Sequence, residues 1–184
     1  VGLAVPDFAD LVIDLFVPDP VSVATGHAAS WQTNFVSRPG NFAGQPSFPV
    51  ETTTAYRRTD GLVTASSFFL ARVEVEAPAA TGVVVTLGDS ITDGTASGID
   101  TNNRWPDHLA RRLLGAGARM GVLNAGIGGN QVVGPDEYSA AKPFAGGPAA
   151  LQRLERDVLS LSGVATVIWL EGINDLSMNG NRTA

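Results

Sequence analysis

Ser90 stands in the triplet Gly88-Asp89-Ser90. A serine hydroxyl at a tight strand-to-loop turn is the group that acyl transfer uses as a nucleophile, and a glycine just before it exposes it at little steric cost. Two other segments carry complementary groups. In the run NAGIGG at 124–129, Gly129 offers a backbone N–H with no side chain in the way of an approaching carbonyl oxygen. In GIND at 172–175, Asn174 offers a side-chain amide that can point at the same oxygen. Together with the N–H of Ser90, these donors would make an oxyanion hole. Removing one donor from such a hole typically lowers kcat about 10²- to 10³-fold.

Groups so far apart in sequence need elements that bring them together. Each of the three segments follows an apolar run: 83–87, 120–123 and 164–170. Between them lie two helical patterns. Asn103 could cap a helix in which Trp105, Leu109 and Leu113 recur, ending at Gly115. A second helix carries Leu151, Leu154, Val158 and Leu161 on one face and ends near Gly163. The order β-α-β-α-β predicts an α/β layer with parallel strands and right-handed crossovers. In such a sheet, ligands bind beyond the carboxyl ends of the strands, where all three segments would converge.

Residues 1–80 read differently. They hold short apolar or alternating runs at 11–17, 29–36 and 67–75, separated by turn chemistry at 18–20, 38–41 and 59–61. This half is predicted to be a small β-rich unit, with 77–80 as a linker and 81–184 as the α/β unit.

Composition narrows the classes of function. The chain has 184 residues, 44% hydrophobic and 16% charged, which suits a globular protein and not a disordered one. Lys plus Arg is 12 and Asp plus Glu 18, so the net charge is −6, and no basic cluster offers a nucleic-acid surface. No apolar run is long enough to span a bilayer. There is no cysteine, no phosphate-binding GxxxxGK[ST] loop and no metal-ligand cluster of credible spacing, so no cofactor or metal is expected. The glycines after residue 123 do not complete a dinucleotide loop: the third would fall at Gln131, and Pro135 interrupts the helix that should follow. Trp31, Phe35 and Phe42 could stack on carbohydrate, but core packing is the expected role.

Taken in order, Gly88-Asp89-Ser90-Ile91, the glycine of NAGIGG and Gly172-Ile173-Asn174-Asp175 resemble the first three conserved blocks of the SGNH hydrolases, also called GDSL esterases and lipases. The stretch from Asp93 to Asp107, with Asn103-Arg104-Trp105-Pro106-Asp107, looks like the lysophospholipase-L1-like subgroup, whose members also carry a β-rich region ahead of the hydrolase domain. The resemblance implies a flavodoxin-like, three-layer parallel sheet and a serine esterase. Ser90 is then the nucleophile, Gly129 and Asn174 complete the oxyanion hole, Asp89 supports the turn, and Asp175 organises its own loop. Substrates of this kind include short acyl esters, acetylated sugars and lysophospholipids, and the glycine- and proline-rich stretch 134–147 would form part of the pocket wall.

The family's fourth block, an Asp-x-x-His supplying acid and base, has no counterpart here. The only histidines are His27, read as a turn residue, and His108, read as a partly exposed helix residue. Without a base a serine hydroxyl is a poor nucleophile, so the chain alone is expected to be nearly inactive. We expect an internal piece of a longer protein, soluble and secreted or extracytoplasmic in a bacterium, with the Asp/His pair on a second chain or on further sequence. In strand order 2-1-3 the run at 164–170 would stand at the sheet edge, though its apolar character suits an interior strand. The other class of function is a non-catalytic SGNH-like scaffold that binds glycans or a protein and has lost its base.

Overall fold

The computed structural model describes residues 3–139 and 141–177. The end of the expected α/β unit, 178–184, and residue 140 of the expected pocket wall lie outside the described residues. Three strands form the central sheet: β7 (Gly82–Gly88), β8 (Met120–Gly126) and β9 (Val164–Leu170). All pair in parallel, in the order β8-β7-β9. The register sets Gly88 opposite Gly126 on one side and Leu170 on the other, so the three strands end level. This convergence is the one the β-α-β-α-β pattern predicts.

Two faces of β7 are covered by different elements. Val85 and Leu87 pack with Ala150 and Val158, and Leu154, Leu161, Leu123 and Ala125 surround them. Ala150 and Leu154 belong to α3 (Ala150–Leu154), which runs on into a π-helical turn (Glu155–Leu159) carrying Val158. The predicted helix is therefore present, but its inward face differs. Leu151 is 54% exposed, whereas Arg153 is 1% exposed and turned inward.

On the side of Gly88 and Gly126 lies α1 (Ser90–Asp93), a single turn. A methyl group at Gly126 would lie 2.7 Å from the Thr92 carbonyl carbon, and one at Gly88 would lie 2.8 Å from Thr92 Cβ. The two glycines are needed because α1 rests on the backbone of both strands. α2 (Trp105–Gly115) ends where predicted but begins differently. Arg104, not Asn103, is its N-cap, and the Arg104 backbone N–H donates to Asp107 Oδ2 at 2.9 Å. Asn103 instead pairs its Oδ1 with His108 Nε2 at 2.7 Å.

The first half holds six short strands: β1 (Gly26–His27), β2 (Phe35–Ser37), β3 (Val50–Thr53), β4 (Ala55–Arg57), β5 (Val63–Ala65) and β6 (Ser67–Phe68). They pair antiparallel as three two-stranded ribbons, β1-β6, β2-β3 and β4-β5. The apolar run at 11–17 and the alternating run at 69–75 form no strand; their side chains are exposed, and a strand without a partner leaves its backbone unpaired. Trp31 is buried, as core packing requires, but Phe35 is exposed and Phe42 half-buried, with the Arg38 guanidinium 5.9 Å from its ring.

These ribbons lean on the segment that follows the serine. The Asp100 N–H donates to the Trp31 carbonyl at 3.0 Å, and the Asp100 carboxylate accepts from the Thr33 N–H and hydroxyl, both at 2.7 Å. Arg104 Nη2 donates to the Ser30 carbonyl at 2.8 Å.

Candidate active site

Ser90 is the first residue of α1, directly after β7, and is half-buried. Asp89 is the N-cap: it is 1% exposed, and its Oδ1 accepts the Ile91 N–H at 2.9 Å. The carboxylate thereby satisfies a donor that the helix itself leaves unpaired.

The glycine loop after β8 folds over this turn. The Ile127 N–H donates to the Gly88 carbonyl at 3.0 Å, and the Gly128 N–H donates to Asp93 Oδ2 at 2.8 Å. A methyl group built on Gly128 would lie 4.0 Å from Ser90 Cβ, so the loop runs beside the serine. Gly129 follows with φ +83°, the left-handed region that glycine occupies without strain.

The third segment joins the second. In α4 (Ile173–Leu176), Asn174 Nδ2 donates to the Asn130 carbonyl at 2.9 Å, which leaves its other N–H. Asp175, 6% exposed, accepts the Val132 N–H on Oδ2 at 2.9 Å and the Val133 N–H on Oδ1 at 3.1 Å. Ser90, Gly129 and Asn174 thus come from three strand ends that are hydrogen-bonded to one another. Asp89 holds its own turn, whereas the Asp175 carboxylate, expected to organise its own loop, holds the backbone at 132–133 in the segment after β8.

Arg153 and Asn130, which sequence reasoning passed over, meet here, and His27 takes a place other than the expected one. Arg153 lies inside the molecule, and burial pushes its guanidinium below the ordinary arginine range, against the hydrogen bond and charge of Asp157. Its i,i+4 spacing from Asp157 looks like a surface pair in sequence. Asn130, fully buried, was only the end of a glycine-rich run. His27 belongs to β1 rather than to a turn, and its Nε2 lies 3.0 Å from Asp93 Oδ1, though out of line for a hydrogen bond. That contact spans the two halves of the chain and has no local signature. A cavity of about 120 Å³ beside it is lined by His27, Ser30, Asp93, Arg104, Asn124 and Gly126.

Among the described residues no group of three or more His, Cys, Asp or Glu could hold a metal ion, and no helix is long and apolar enough to cross a membrane. No helix opens on the glycine loop; the next begins at Ala150.

The profile of the GDSL-like lipase/acylhydrolase family matches residues 86–184, and the chain belongs to that family. Among solved structures it is similar to AlinE4, an SGNH-hydrolase family esterase, at 24% identity and a TM-score of 0.41, over 54% of this chain and 44% of that one. A mutant of the same esterase gives 22% identity and a TM-score of 0.39 over the same shares. The chain therefore spans less than half the length of these structures. No curated protein matches it.

Proposed function

We propose that the chain carries the nucleophile and oxyanion-hole part of a carboxylic-ester hydrolase, on a flavodoxin-like three-layer sheet preceded by a β-rich unit. One observation supports this best: the serine, glycine and asparagine segments are locked together at level strand ends. In the reaction, Ser90 Oγ attacks the acyl carbonyl while a base takes its proton. The oxyanion is held by the N–H groups of Ser90 and Gly129 and the remaining Nδ2–H of Asn174. The alkoxide then leaves with a proton, and water releases the acyl group from Ser90.

The base is not one of this chain's two histidines as they stand. His108 pairs with Asn103, and His27 faces a cavity shared with Asp93, Arg104 and Asn124 whose lining does not include Ser90. It comes from an Asp/His pair outside these residues. The same observation favours a second reading, a non-catalytic scaffold that binds glycans or a protein; an Asp-x-x-His in adjoining sequence discriminates for the enzyme.

Hydrolysis of p-nitrophenyl acetate by protein that includes the Asp/His pair, as wild type and as Ser90→Ala, tests the proposal. Turnover should fall to background with the substitution, and turnover that survives it would remove Ser90 from the mechanism. Asn174→Ala should lower kcat about 10²-fold or more with little change in KM, because its hydrogen bond strengthens as charge develops on the oxygen.

A further inference from the structure

One guanidinium ties together the carriers of all three donors. Arg153 Nη2 donates to the Gly88 carbonyl at 3.3 Å, Nη1 to the Ala125 carbonyl at 2.8 Å and Nε to Asn130 Oδ1 at 2.8 Å. Gly88 ends the strand that delivers Ser90, and Ala125 lies next to the end of β8.

Asn130 is the other half of the device, and its polar groups are all engaged. Its N–H donates to the Ile127 carbonyl at 3.0 Å, and its Nδ2 donates to the carbonyls of Gly146 at 2.7 Å and Pro148 at 2.8 Å. Its own carbonyl accepts Asn174 Nδ2. Asn130 adjoins Gly129, so holding it fixes one donor covalently and the other through a hydrogen bond. A buried charge costs stability that well-packed apolar residues would not, which makes a buried arginine costly for stability alone.

We propose that Arg153 is the positioning residue of the oxyanion hole, acting through Asn130 on Gly129 and Asn174. The proposal rests on the esterase reading above. A lysine at 153 would keep the charge, but its ammonium is a point donor without the planar fork that reaches three acceptors.

The test uses 15N-labelled protein and ester kinetics together. Arg153→Lys should move the Gly129 N–H and Asn174 side-chain amide resonances while leaving those of Tyr56 and Thr64 in the β4-β5 ribbon in place. In hydrolysis, kcat should fall about 10²-fold with KM nearly unchanged, the effect of displacing a catalytic group by a fraction of its length. Asn130→Asp keeps the acceptor for Arg153 and adds a countercharge, but loses the donors to Gly146 and Pro148. It should move the same two resonances. In the wild type, the Arg153 Nε–H should be protected from solvent exchange, a measurement that needs no variant to fold.

Unmoved Gly129 and Asn174 resonances in either folded variant overturn the positioning role, as does a rapidly exchanging Arg153 Nε–H in the wild type. A raised KM with unchanged kcat does the same. Turnover that survives Ser90→Ala would instead remove the esterase reading, and the resonances would still decide whether Arg153 sets Gly129 and Asn174.

Discussion

Glu171, between β9 and the GIND segment, shows how charge is balanced near the serine. Its Oε2 accepts the Trp169 Nε1–H at 3.0 Å, and its Oε1 is buried with no hydrogen-bond partner. Burial pushes its pKa above the ordinary range; the charges of Asp89 and Asp175 add to this, while the Trp169 N–H and the Arg153 charge oppose it. With the folded pKa raised, the folded chain holds this proton more tightly than the unfolded one. The group's stabilisation is full below the ordinary glutamate value of about 4.3 and is lost as pH rises through the elevated value. Glu171→Gln should therefore melt above the wild type at neutral pH. The gap should close in acid. Melting curves from pH 3 to 8 check this, and a gap that persists in acid would contradict it. At this scale Ser90, Gly129 and Asn174 could be singled out as candidates because residue type itself suggests the chemistry. Arg153 and His27 could not, because their roles depend on partners that only the fold brings near.

The elements near the serine depend on backbone contact more than on side chains. Gly126→Ala places a methyl against the backbone of Thr92 and Asp93, where no rotamer can yield. Overpacking of this kind costs about 1–3 kcal/mol or more, so the urea midpoint should drop by the corresponding amount, and an unchanged midpoint would show that α1 can lift away. Gly115→Ala provides the control, since a methyl there meets nothing within 4 Å. All three parallel strands could be read from apolar runs, but only β7 is buried as such a run suggests; β9, expected to be a buried strand, is largely exposed. The N-terminal strands were harder to place. An alternating pattern such as 69–75 marks a segment able to join a sheet, but pairing also requires a neighbour, and none of the described residues supplies one there.

Across the whole molecule, the central sheet has one conspicuous side. Among the described residues β9 pairs only with β7, and Val167, Ile168, Trp169 and Leu170 are each 36–44% exposed. An apolar strand with a free edge is a template for pairing with another chain. The purified chain should self-associate as concentration rises, and Val167→Lys should shift sedimentation toward the monomer without moving the urea midpoint by more than about 0.5 kcal/mol. Equal association by the wild type and the variant would place the contact elsewhere. The 2-1-3 order made this edge foreseeable from sequence. The contacts of residues 30–33 with 100–104 were not, because hydrogen bonds between loops follow no period. The seat of α1 on Gly88 and Gly126 has a wider consequence for how such a molecule can change. At Gly126 main chain rests on main chain and at Gly88 the Thr92 side chain rests on the strand, so the height of the serine cannot be readjusted by exchanging one hydrophobic side chain for another. Sequence drift in the hydrophobic interior therefore leaves the Ser90 turn where it is.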